Sequence, residues 1–108
     1  MTAEATFVQG DTGPDFVGVL IAKDEPTTII DLTGNLGVNF QMRKEDDKRY
    51  TVNQPATVVG DPTDGRCSYS WGANDLSVPG TYWAQWEVTF ADGKIQTTVA
   101  HEIEVRRQ

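Results

Sequence analysis

From Gly80 to Phe90 polar and apolar residues alternate without a break: Tyr82, Ala84, Trp86, Val88 and Phe90 fall on one side, Trp83, Gln85, Glu87 and Thr89 on the other. A period of two belongs to a strand with one buried face, and a helix cannot gather such residues into one stripe. The run stops at Ala91-Asp92-Gly93. Asp-Gly supplies the positive φ values of a tight hairpin, so the following segment is expected to return as the partner strand. Ile95, Thr97, Val99, His101, Ile103 and Val105 should then face inward, with Lys94, Gln96, Thr98, Glu102 and Glu104 mostly turned the other way.

The rest of the chain repeats this grammar in shorter phrases, punctuated by ten glycines and five prolines that leave little room for helices. Val38 to Lys44 alternates Val38, Phe40 and Met42 with Asn39, Gln41 and Arg43. Arg66 to Trp71 alternates Cys67, Tyr69 and Trp71 with Arg66, Ser68 and Ser70; Ala56 to Asp61 precedes it across the turn Asp61-Pro62-Thr63-Asp64-Gly65. Phe16 to Ala22 is nearly continuous apolar sequence and predicts a central strand buried on both faces. Weaker strand signals lie at Ala5 to Gln9, Thr27 to Asp31 and Tyr50 to Asn53. About seven short strands with turn signals between them predict an all-β fold, an immunoglobulin-like antiparallel β-sandwich. Residues 1–108 are expected to form one such domain, with 1–6 as a flexible arm.

Composition removes several classes of function. With 9 basic and 16 acidic residues the net charge is −7, spread along the chain, and the pI is about 4.4. A nucleic-acid binder needs Lys and Arg to displace phosphate counterions, so no nucleic-acid partner is expected. The single cysteine, Cys67, excludes an internal disulfide or a Cys-rich zinc module. The N-terminus carries no signal-peptide pattern, and no apolar run approaches the ~20 residues that span a bilayer. No membrane partner is expected, and the protein reads as soluble and made in the cytoplasm.

Groups able to do chemistry are sparse. His101 is the only histidine and falls on the inward register of the last strand, where packing explains it better than catalysis, since no Gly-x-Ser-x-Gly elbow is present. Cys67 shares the inward face of Tyr69 and Trp71, as inert buried cysteines do. Glu45-Asp46-Asp47 is flanked by Arg43, Lys44, Lys48 and Arg49 and reads as a solvated loop tip. Asp61-Pro62-Thr63-Asp64-Gly65 lacks the ligand ladder of a calcium loop, and Gly10-Asp11-Thr12-Gly13-Pro14 lacks the lysine and helix of a phosphate loop. No catalytic residue, metal site or cofactor is assigned, and the chain is not expected to be an enzyme. Among the tryptophans, Trp71 and Trp86 fall on core faces. Trp83 points outward beside Gln85 and Glu87, and these three residues are the candidate interaction surface. Trp83 suits either a subunit contact or stacking on a sugar.

The order of the turn motifs carries a resemblance. Phe7-Val8-Gln9-Gly10-Asp11-Thr12 precedes the Phe16 strand, and Ile30-Asp31-Leu32-Thr33-Gly34 precedes the Val38 strand. Gly65-Arg66-Cys67-Ser68-Tyr69-Ser70-Trp71, Val78-Pro79-Gly80-Thr81-Tyr82 and Phe90-Ala91-Asp92-Gly93-Lys94 follow. Over roughly residues 7–105 this succession resembles the immunoglobulin-like domain at the N-terminus of phage baseplate upper proteins, and small domains of phage tail, neck and head-surface proteins. The resemblance implies a structural protein of a tailed-bacteriophage virion, made in the bacterial host cytoplasm, that assembles with tail, neck or capsid subunits in a homo-oligomeric or symmetric multi-copy array. The matching residues carry over as fold determinants. Baseplate upper proteins continue beyond this domain, so a chain ending at Gln108 suggests a stand-alone tail-tip, baseplate or neck adaptor. A capsid decoration protein is the alternative within that class; a carbohydrate-binding module recognising a host-surface glycan is the alternative from another.

Overall fold

The computed structural model describes residues 5–23 and 28–108. Among these residues nine strands and one 3-10 turn make up the regular structure: β1 Ala5–Val8, β2 Phe16–Val19, β3 Asn35–Lys44, β4 Tyr50–Pro55, β5 Thr57–Val58, the turn Pro62–Asp64, β6 Arg66–Tyr69, β7 Gly80–Phe90, β8 Ile95–Thr97 and β9 His101–Arg106. The larger sheet runs β1-β9-β7-β3-β4, with β8 also beside β7; the smaller runs β2-β6-β5. The two pack face to face as an all-β sandwich.

The alternation in β7 is realised as predicted: Tyr82, Ala84, Trp86 and Val88 are buried, and the residues between them are half-buried. Phe40 of β3 sits at the centre of the core. Its ring stacks on Tyr69 of β6 at 4.6 Å and meets Trp86 and Trp71 edge-on at 5.0 and 5.6 Å. Phe16 of β2 stacks on Trp86 at 5.8 Å, and Phe7 of β1 meets Trp71 at 4.9 Å. With no disulfide available, this aromatic cluster supplies much of the apolar burial that holds the sheets together.

The turn motifs have local physical roles. Asp31 accepts hydrogen bonds from the Thr33 hydroxyl and backbone N–H, and Asp61 does the same with Thr63. These bonds hold both carboxyls below the usual range. The Leu32 N–H donates to the Pro62 carbonyl, tying the two Asp-x-Thr turns together. Gly65 ends the 3-10 turn at φ 64°, against Ile29 and the Ile30 carbonyl. The Tyr82 hydroxyl donates to the Val78 carbonyl at 2.6 Å, which fixes the approach to β7.

Five expectations need correction. Phe16 to Ala22 is not a central strand: β2 is an edge of the small sheet, and Val17 is 56% exposed. The sandwich is not wholly antiparallel, because β1 pairs with β9 in parallel, Ala5 opposite Ile103 through Val8 opposite Arg106. Ala5 and Thr6 therefore belong to a strand rather than an arm, and residues 1–4 lie outside the described residues. Of the Thr27 to Asp31 signal, Thr27 lies outside them too, and Ile29 makes only an isolated bridge to Ile21.

The last correction concerns the return strand. In β8 Thr97 pairs with Glu87, whereas in β9 His101 pairs with Ala84, so one extra residue enters between them. This bulge reverses the parity of the strand. His101, Ile103 and Val105 do share the inward face, but Ile95 is turned out at 61% exposure, and fully buried Thr98 takes the inward place expected of Thr97 and Val99. The Thr98 hydroxyl accepts from the Trp86 N–H and donates to the Val99 carbonyl, both at 3.0 Å, while the Thr98 N–H bonds the Trp86 carbonyl. A side-chain oxygen replaces the main-chain acceptor displaced by the bulge.

Candidate interaction surface

The outward residues of β7 lie on the exposed face of the larger sheet, and cross-strand register sets their neighbours. Trp83 stands between Glu102 of β9 and Arg43 of β3, and Tyr50 of β4 is paired with Arg43. In the next row Gln85 is opposite Gln41, and Gln41 is opposite Asn53. Beyond it, Glu87 lies between Thr97 and Asn39. Trp83, Gln85 and Glu87 are thus gathered on one face as the period of two requires.

A hydrogen-bonded row crosses this face. The Gln85 amide donates to the Tyr50 hydroxyl and to the Gln41 carbonyl oxygen, both at 2.9 Å, and the Gln41 amide reaches Glu87 at 3.4 Å. Gln41 is only 5% exposed although it points away from the core, because Gln85 and the neighbouring strands close over it. Side chains locked in this way lose little rotamer freedom on docking, which favours a contact surface. Tyr50 and Gln41 were not singled out from the sequence. Gln41 carried a signal as the outward neighbour of Phe40 and Met42, but Tyr50 joins the row only through the pairing of β4 with β3.

The other groups weighed from the sequence stay apart. Cys67 is fully buried, and burial pushes its thiol up to about 11. His101 is half-buried beside a groove of about 300 Å³ whose other lining residues are Phe16, Val17, Gly18, Val19 and Ile21, so among the described residues no hydroxyl or thiol shares it. Asp47 accepts from the Arg49 backbone N–H and lies 3.8 Å from its guanidinium, as expected of a solvated loop tip. Among the described residues no three His, Cys, Asp or Glu side chains gather in a metal-binding arrangement.

Two packed sheets, an aromatic core and an ordered polar face define a small β-sandwich structural domain. The chain belongs to the family of the BppU N-terminal domain, the N-terminal domain of baseplate upper proteins, which it matches over residues 2–106. It is therefore a phage baseplate structural domain, a part of the virion that interacts with other virion proteins. No curated protein matches the chain.

Proposed function

We propose that the chain is a non-enzymatic, immunoglobulin-like assembly module of the tail tip, baseplate or neck of a tailed phage, and that it docks through the face carrying Trp83, Gln85 and Glu87. The observation that carries this reading is the family match over residues 2–106, which includes every strand of the sandwich. The face supports it in detail. Trp83 supplies an aromatic anchor, and Gln41, Gln85 and Tyr50 surround it with fixed donors and acceptors, the composition of a protein contact with an apolar centre and a polar surround. A net charge of −7 keeps such a module soluble before it docks.

The test is to image purified particles by cryo-electron microscopy and to repeat the assembly with Trp83→Ala. The expected result is a ring or set of copies at the tail end, with the Trp83 face covered, and loss of incorporation in the variant while its circular dichroism is unchanged. Absence of the protein from purified particles overturns the reading. Density on the capsid lattice would instead identify a head decoration protein. A second reading, binding of a host-surface glycan, draws on the same Trp83 and Tyr50 flanking an amide row, and predicts quenching of tryptophan fluorescence by oligosaccharides that Trp83→Ala abolishes.

A further inference from the structure

The two sheets differ in width. Three strands, β2-β6-β5, cover a sheet that is five strands across, β1-β9-β7-β3-β4. Phe16 of β2 stacks over Trp86 of β7 and also meets Phe7 of β1 at 6.4 Å. Among the described residues β2 has no neighbour on its outer side, so its free edge opens above β9, and the groove there, about 300 Å³, is lined by Phe16, Val17, Gly18, Val19, Ile21 and His101. Toward the end of this run the chain closes onto the larger sheet, where Ala22 bridges Thr98 and the Val99 N–H bonds the Ile21 carbonyl.

This edge lacks the devices that blunt the β4 and β5 edges. Phe16–Val19 contains no proline, no charge and no bulge. By contrast, β4 ends in Pro55 and pairs through a bulge, and β5 is two residues long. The Leu20 N–H donates to the Gly65 carbonyl in register with β6, so by the alternation of an antiparallel ladder Gly18 and Phe16 also bond toward β6. The N–H and C=O groups of Val17 and Val19 are then directed out along the free edge.

We propose that this edge accepts one extended segment of an assembly partner as a fourth strand of the small sheet. The inference rests on the assembly reading and names the chemistry of the contact. The occupant is a single strand rather than the β2 of a second copy, because a second sandwich paired there brings its own five-strand-wide sheet into the space of the first. It runs antiparallel, like the pairs already in this sheet. Its middle is uncharged, because five of the six groove residues are apolar or glycine, and its inward side chain is apolar. Charge complementarity sets its far end. Exposed Asp15 precedes β2, so an antiparallel occupant carries a basic residue at its end, while its start stops short of Ile21, whose carbonyl is already bonded to the Val99 N–H.

The test uses the full chain, labelled with 15N, and a synthetic peptide that alternates Thr and Val through five positions and ends with Lys. The expected result is a set of amide shifts confined to 15–22 and 98–102 that saturates at millimolar peptide or below. Val17→Pro and Val19→Pro each remove one outward N–H without touching the bonds to β6, and should abolish the shifts while leaving the spectrum elsewhere folded. Should either variant unfold, N-methylation of alternate peptide residues gives the same answer from the other side: one parity should abolish binding and the other should not. A peptide ending in Glu in place of Lys should bind several-fold more weakly, with the difference shrinking at high salt. No shifts at millimolar peptide, shifts centred on Trp83, or binding indifferent to both methylation parities overturns the proposal. Any of these leaves the particle-localisation test of the assembly reading untouched.

Discussion

Replacing Thr98 by Val separates the hydrogen bonds of the bulge from its packing. The two side chains have nearly the same shape, so Thr98→Val keeps a buried β-branched residue and deletes only the hydroxyl. Two buried backbone groups lose a partner: the Trp86 N–H, which donates to the hydroxyl, and the Val99 carbonyl, which accepts from it. The Trp86 N–H has no other acceptor in register, because the extra residue between β8 and β9 displaces the main-chain one. Leaving a buried polar group unpaired costs about 1–3 kcal/mol, so the loss should be about 2–4 kcal/mol, the half-buried carbonyl contributing the smaller share. Thr98→Ser keeps both bonds and removes one methyl, at about 1 kcal/mol. At about 4–6 °C per kcal/mol for a domain of this size, Val should lower Tm by about 10–20 °C and Ser by about 5 °C. Urea denaturation followed by circular dichroism measures both, and amide exchange should show Trp86 losing protection in the Val variant alone. If Val proves no more harmful than Ser, the hydroxyl is not what holds the bulge, and the account of the parity reversal fails.

Three further outcomes follow from the fold. The thiol of Cys67, pushed up to about 11 by burial, should resist aromatic disulfide reagents at pH 8 in the native protein and react at once in guanidinium; rapid native labelling would place it at the surface. Stability should fall as pH rises from about 9 through about 11. Burial pushes the ionisation of Cys67, Tyr69 and Tyr82 to higher pH, and the Asp75 carboxylate that accepts the Tyr69 hydroxyl adds to the shift, so the unfolded chain releases these protons first; a flat urea midpoint from pH 8 to 11 contradicts this. Gly65→Ala should cost about 2 kcal/mol or more, because φ is 64° and the new methyl would come within 2.7 Å of the Ile30 carbonyl; an unchanged melting curve would mean that the turn relaxes freely.

How far the fold was legible depended on whether the deciding interaction was local. β7 could be read because a period of two over a long run has one solution, and the Asp-Gly turn named its partner. The reversal at Thr98 could not, because a bulge costs one residue and its only mark is a threonine where the pattern asks for an apolar side chain. Phe16 to Ala22 misled for a different reason. Apolar runs signal burial on both faces, yet Val17 is exposed, and nothing in that run says that the small sheet ends at β2. The parallel pairing of β1 with β9 joins opposite ends of the sequence and leaves no local trace. The surface was half-legible on the same terms: Trp83, Gln85 and Glu87 follow from one strand's alternation, while Tyr50 and the burial of Gln41 depend on register across three.

The parallel pairing of β1 and β9 also fixes how the domain answers a mechanical load. Ala5 begins β1 at the end where Ile103 stands in β9, and Arg106 closes β9 at the end where Val8 finishes β1. A pull applied at residue 5 against one at residue 106 slides the two strands past each other along their length. The four residue pairs between them then bear the force together and yield together, whereas an antiparallel hairpin pulled from its open end peels one bond at a time.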